Sequence, residues 1–84
     1  MTKPIIPTNA EIITANLAAL RARLRHASVL ALDACTAMTE ARQNIAIGTI
    51  AELERILPEC DALFRTIMLL HRSRDSFEQN VVMS

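Results

Sequence analysis

The sequence predicts an all-α protein in which two long helices fold into an antiparallel αα-hairpin. Three observations predict this class. Apolar residues recur at alternating steps of four and three along two stretches, and this spacing keeps one stripe of a helix facing a partner. Ala, Leu and Ile supply most of the apolar content, and Ala and Leu are strong helix formers. Gly48 is the only glycine, and Pro58 is the only proline beyond Pro7.

Helix 1 is expected to span about residues 9–47. Thr8 and Glu11 form a T-x-x-E capping box at its start. Residues 1–7 are expected to be an extended tail, because Pro4 and Pro7 disfavour helix in the residues that precede them. The apolar stripe of helix 1 consists of Ile13, Leu17, Leu20, Leu24, Ala27, Ala31, Ala34, Met38, Ala41 and Ile45.

Gly48 predicts the turn, because glycine readily adopts the left-handed conformation that ends a helix. A second capping box, Thr49 to Glu52, then starts helix 2 over about residues 50–73. Pro58 is expected to kink or break this helix. Polar residues continue the stripe after Leu70, so residues 74–84 are expected to be a frayed tail. The stripe of helix 2 consists of Ile50, Leu53, Leu57, Cys60, Phe64 and Ile67.

The hairpin alone is expected to leave part of helix 1 uncovered. Reversal at Gly48 brings together residues whose numbers sum to roughly 98, so that Phe64 lies above Ala34. One domain of 84 residues is close to the size at which a single core is barely sufficient. We therefore expect a homodimer that completes a four-helix bundle, with helix 1 meeting its copy antiparallel near the alanine-rich segment. The predicted interface comprises Ile12, Ile13, Leu17, Leu20, Leu24, Ala27 and Ala31.

Charge is distributed unevenly although the formal net charge is zero. Residues 33–61 carry −4 and the rest of the chain carries +4. The same pairing places two groups of basic residues at one height near the open end of the hairpin, where they form a possible anion-binding site, since arginine pairs well with phosphate. The alternative is a solvated helix surface whose side-chain stems cover apolar neighbours. The residues concerned are Arg21, Arg25, Arg72 and Arg74.

No metal or cofactor site is predicted. His26 and His71 supply only half of a typical tetrahedral ligand set, and Cys35 and Cys60 lie turns away from them. Both cysteines are interpreted as small buried hydrophobes. Carboxylate pairs, Ser–His arrangements and glycine-rich phosphate loops are not evident, so we do not expect an enzyme.

The sequence favours a non-enzymatic helical interaction protein, such as an adaptor, assembly factor or small chaperone, that acts through homo-oligomeric helix packing and has a protein partner. The alternative is a small nucleic-acid-binding regulator that uses the basic open end. Few aromatic residues and zero net charge count against that alternative. No apolar run approaches the roughly 18 residues of a membrane span, and we expect a cytoplasmic location.

Overall fold

The computed structural model describes the backbone of residues 8–83 and the side chains of residues 8–73. The described backbone forms three helices in sequence: α1 (Asn9–Thr39), α2 (Gln43–Ile50) and α3 (Leu53–Met83). Helix α1 forms the first arm of a hairpin, and α2 and α3 together form the second arm, which runs back along α1. The predicted all-α hairpin is thus confirmed for the described residues, and the predicted tail at 1–7 lies outside them.

Helix α1 begins where the capping box predicts. Thr8 has an extended backbone and occupies the N-cap position, and its side-chain oxygen accepts a hydrogen bond from the Glu11 amide at 3.1 Å. This bond satisfies one of the four amides that the first turn of a helix leaves without a partner. No proline or glycine follows within the helix, which continues for 31 residues to Thr39.

The chain reverses direction at residues 40–42, so the predicted turn at Gly48 is wrong. Ala41 adopts the left-handed conformation with φ of 59°. The Arg42 amide donates to the Ala37 carbonyl at 2.8 Å, and the Ala41 amide donates to the Met38 carbonyl at 3.0 Å. These two bonds define a Schellman motif with alanine where glycine is usual. Gly48 instead lies inside α2 and has no positive φ.

The early reversal changes which residues lie opposite each other. The Asn9 side chain donates to the Leu70 carbonyl at 3.3 Å, and Arg23 pairs with Glu59 at 2.8 Å. Facing residue numbers therefore sum to about 80, not 98. This register places Leu20 level with the region of Leu63. The predicted register would have left Leu20 beside polar residues.

Burial explains why the reversal at Ala41 is favoured over one at Gly48. A left-handed alanine costs roughly 1–2 kcal/mol. Each large apolar side chain that leaves water stabilises the fold by about 1.5–3 kcal/mol. Covering even two such side chains at the open end of the hairpin outweighs the strain at one alanine.

The second arm breaks at Ala51 and Glu52, about two turns before the proline. Helix α3 continues through Pro58, whose ring crowds the turn before it. In that turn the amides of Glu54 and Arg55 each donate to the carbonyl three residues back, both at 3.1 Å. The helix then continues to Met83 rather than ending near residue 73, since no glycine or proline follows Pro58.

The core of the single chain is small. Among residues 8–73, the buried ones are Ala37, Ala46, Ile56 and Cys60, and only Ile56 is large. The line of contact between the arms also includes polar groups, because Asn9 and Arg23 both bond across it. Much of the apolar surface of the hairpin must therefore lie elsewhere.

Candidate functional site: two faces of the hairpin

One broad face of the hairpin carries a polar groove between the arms. The groove has a volume of about 310 Å³ and is lined by Ala22, Arg23, His26, Arg55, Ile56 and Glu59. Arg23 Nε donates to Glu59 Oε2 at 2.8 Å, and Arg55 Nη1 donates to Glu59 Oε1 at 3.4 Å. One carboxylate thus holds a cation from each arm, and we call this side the charged face.

The Glu59 carboxylate responds electrostatically to this arrangement. The hydrogen bond from Arg23 lowers the pKa of Glu59 below its usual value of 4.5, and the positive charges of Arg23 and Arg55 act in the same direction. Partial loss of hydration opposes them by raising the pKa. Since the Arg23 and Glu59 side chains remain 40% and 36% exposed, solvent screens the pair and its contribution to stability is small.

The groove also identifies the opposite face. It draws residues from one side of α1 and one side of α3, so those two sides share a face. With about 3.6 residues per turn, the other side of each helix carries the stripes that the sequence predicts. We call this the apolar face. Its members are Ile13, Leu17, Leu20, Leu24, Ala27, Ala31, Ala34 and Met38 of α1, and Leu53, Leu57, Cys60, Phe64, Ile67 and Met68 of α3.

Large side chains of the apolar face are open to water in the single chain. Leu24 of α1 is 50% exposed and Phe64 of α3 is 53% exposed. Leu17 and Leu57 are about equally open. A shallow groove of about 390 Å³ runs along this flank of α1, and Arg21 and Arg25 help to line it. The described residues of the single chain therefore leave this face largely uncovered.

Most of the predicted interface residues lie on the apolar face. Ile13, Leu17 and Leu20 belong to it, as do Leu24, Ala27 and Ala31. Ile12 is the exception, because its position on the helix directs it toward α3; Ile13, Leu20, Ala27 and Ala31 are half-buried like Ile12. The predicted contact of Phe64 with Ala34 is wrong, since Phe64 lies several turns away from Ala34 in the observed register. The two stripes face the same direction instead of each other.

The predicted anion-binding residues are not brought together. Arg21 and Arg25 lie near the level of Glu59 and are exposed. Arg72 lies 13 residues after Glu59 in the same helix, which corresponds to about 20 Å along its axis. The side chain of Arg74 lies outside the described residues. The expectation of one basic belt at a single height is therefore wrong, and the reason is the changed register.

The cysteines occupy different environments. Cys60 is buried, as predicted, whereas Cys35 is exposed and that part of the prediction is wrong. Cys35 lies beside the apolar stripe on the outer flank of α1, which α3 does not reach. Within residues 8–73, no three His, Cys, Asp or Glu side chains form a group that could hold a metal ion.

The interarm link between Arg23 and Glu59 was not found from the sequence. The two residues are 36 positions apart, so only a correct register could bring them together. The partial signal was Arg55 and Glu59, which have the i, i+4 spacing of a helical ion pair. That spacing predicts a local pair and gives no information about the other arm.

Comparison with known proteins gives no further assignment: no protein family, no curated protein and no solved structure matches this chain. In the described part of the chain, no helix combines the length and the apolar character needed to cross a membrane.

Proposed function

We propose that the chain is a non-enzymatic interaction protein whose working form is a homodimer. Two hairpins pack through their apolar faces to form a four-helix bundle, and the charged faces point outward toward solvent and further protein partners. Adaptor, assembly factor and small chaperone are the roles that fit such a bundle. The observation that carries this proposal is that the apolar stripes of both arms lie on one side of the hairpin, where five large side chains are each about half exposed: Leu17, Leu24, Met38, Leu57 and Phe64.

The pattern of the stripes supports a second copy as the occupant of this face. In a four-helix bundle each helix contacts two neighbours, so its apolar stripe points to the bundle axis and not directly at one neighbour. A single hairpin cut from such a bundle carries both stripes on one face, as here. The steps of four and three on both arms match the knobs-into-holes packing of these bundles.

The dimensions of the apolar face also fit a stable dimer. From Ile13 to Met38 the face extends about 38 Å along α1, and two adjacent helices make it about 20 Å wide. The resulting area of about 750 Å² is close to the roughly 800 Å² that each partner buries in a standard interface. Because one large residue, Ile56, is fully buried among the described residues of the single chain, burial of this face would supply most of the core.

We also propose a reducing cytoplasmic location, and the two free thiols support it. Cys35 is exposed and Cys60 is buried, and neither is paired with another cysteine. Cytosolic conditions keep such thiols reduced.

Light scattering coupled to size-exclusion chromatography tests the dimer at micromolar concentration. The expected mass is twice the 9.3 kDa of the chain. Leu24→Glu places a charge in the proposed interface, where burial of an unpaired carboxylate is strongly unfavourable, so this variant should elute as a monomer. Leu69→Glu is the matched control, since Leu69 is 63% exposed on the opposite side of the hairpin, and it should remain dimeric.

Two results would overturn the proposal. One is a wild-type chain that melts cooperatively as a monomer. The other is an equal effect of the two glutamate variants on the mass, because the apolar face would then have no special role. Circular dichroism of each variant shows whether its helices persist.

A further inference from the structure

We infer that the second copy docks antiparallel, with α1 packed against α1 of the partner and the two-fold axis between Leu24 and Ala27. This inference rests on the proposed dimer and adds its orientation and register. It follows from the order of large and small residues along the stripe of α1, together with the register of the two arms.

The stripe of α1 is divided into a large half and a small half, except that its last member, Met38, is large and would meet Ile13 of the second copy. Its first four members are Ile13, Leu17, Leu20 and Leu24, and its next three are Ala27, Ala31 and Ala34. The steps between them alternate as four and three, so the spacing is the same when the helix is reversed. A reversal about the midpoint of Leu24 and Ala27 therefore superimposes each position of the stripe on another position.

This reversal pairs each leucine with an alanine. Leu24 meets Ala27 of the second copy, Leu20 meets Ala31, and Leu17 meets Ala34. Close packing requires such alternation of large and small side chains across an interface. A two-fold axis repeats every contact, so the pairing forms an isologous interface.

The parallel arrangement has this complementarity only in the alanine half of the stripe, since Ala27 would lie near Leu53 and Ala31 near Ile50 of the second copy. In this arrangement, α1 of one copy lies across from α3 of the other at the same level, with both turns at one end. The observed register then places Leu17 near Phe64 and Leu24 near Leu57 of the second copy. Large side chains would oppose large ones, which forces the helices apart or strains their rotamers.

Formal charge favours the same orientation. Residues 27–55 around the turn carry −2, and the other described residues, 8–26 and 56–73, carry +2. Antiparallel docking places the acidic half of each hairpin beside the basic half of the other. Exposed charges stabilise little individually, but complementary potentials select between arrangements of similar packing.

Exchange of a leucine and an alanine at paired positions tests the register. Leu20→Ala leaves a cavity opposite Ala31, and Ala31→Leu overfills the space opposite Leu20. Each single variant should raise the dissociation constant of the dimer by at least about tenfold in analytical ultracentrifugation. The double variant Leu20→Ala/Ala31→Leu should return it to within about threefold of wild type.

The matched control is Leu17→Ala/Ala31→Leu, which has the same composition but exchanges residues that are not partners. It should remain as weak as the single variants. If both double variants dimerise equally well, or if neither recovers, the register is wrong. If the wild-type chain itself is monomeric, the proposed dimer is wrong, and not only its register.

Distances between spin labels test the orientation separately, in a Cys35→Ala/Cys60→Ala background confirmed by light scattering to have the wild-type mass. Labels are attached at Thr14, Ser28 or Thr36, each replaced by cysteine and each exposed. In the antiparallel register the two copies of Ser28 are offset by only about 8 Å along α1, whereas those of Thr14 and Thr36 are offset by about 30–35 Å. Similar short distances at all three positions would overturn the antiparallel orientation. Should the cysteine-free background lose the dimer, the exchange variants, which keep both cysteines, decide the question.

Discussion

The two broad faces of this hairpin differ in how complete they are within one chain. On the charged face, the carboxylate of Glu59 is bonded by cations from both arms, Arg23 and Arg55. On the apolar face, Leu24 and Phe64 each leave about half of their surface in water. A polar face is satisfied by solvent and by its own ion pairs, whereas an apolar face lowers its free energy only when other apolar surface covers it.

The comparison shows why the heptad spacing does not maximise burial in the single chain. Were the stripes directed at each other, the hairpin would bury its leucines and its phenylalanine and expose polar groups on both faces. Instead, the line of contact between the arms includes Asn9 and Arg23, and the large side chains are displaced to one side. In the proposed dimer, such a hairpin would contribute half of the core.

The largest expected effect comes from truncating one large side chain on each side of the hairpin and comparing the loss of stability. Phe64→Ala should lower the free energy of unfolding of the proposed dimer by about 3–5 kcal/mol per chain, because the second copy would bury the ring. Leu69→Ala on the other side should change it by less than about 0.5 kcal/mol, as is usual at exposed positions. Urea unfolding at one fixed protein concentration measures both. Equal losses would show that the two faces do not differ in burial.

A medium effect tests the reversal that determines which residues share a face. Ala41→Gly should stabilise the chain by about 0.5–1 kcal/mol, because glycine adopts the left-handed conformation without strain. Gly48→Ala should stabilise it by a similar amount of about 0.5–1 kcal/mol, since alanine is the better helix former.

The structure offers room for the second change, as a Cβ at Gly48 would have no neighbouring atom within 4 Å. Thermal unfolding of the two variants checks both signs. A destabilising effect of Gly48→Ala would indicate that the turn lies at Gly48. Different residues would then belong to each face.

The sequence predicted those features that depend on neighbours a few positions apart. The Thr8 cap needs only Glu11, and the stripes need only steps of three and four, so both were recognised. Residues of the apolar face followed from the stripes, apart from Ile12, whose position lies between the arms.

The turn and the register could not be predicted in the same way. Glycine is the usual left-handed residue, so Gly48 was the natural choice over Ala41. The preference for Ala41 is decided by burial along the full length of both arms, where Leu20 and its neighbours gain apolar counterparts. No local motif reports the total burial along both arms. The interarm pair of Arg23 with Glu59 depends on the register that this burial selects.

The smallest expected effect concerns the charged face and its dependence on pH. The pKa of Glu59 is lowered in the folded chain, chiefly by the hydrogen bond from Arg23. A lowered pKa means that the carboxylate stabilises the fold fully above its usual value of 4.5, and that this contribution is lost as the pH falls below that value and through the folded pKa. Glu59→Gln should therefore be slightly less stable than wild type at neutral pH, and the two should converge in acid.

Urea unfolding at a series of pH values checks this sign, and 0.5 M salt should shrink the difference because the pair is partly exposed. Asp61→Asn is the control, since Asp61 pairs with Arg65 of its own helix at 2.9 Å. This substitution removes the same charge as Glu59→Gln but breaks no contact with the other arm. If the difference in unfolding free energy between Glu59→Gln and wild type stayed constant from neutral pH into acid, the carboxylate would not be held by Arg23 and Arg55. The charged face would then be no more complete within one chain than the apolar face.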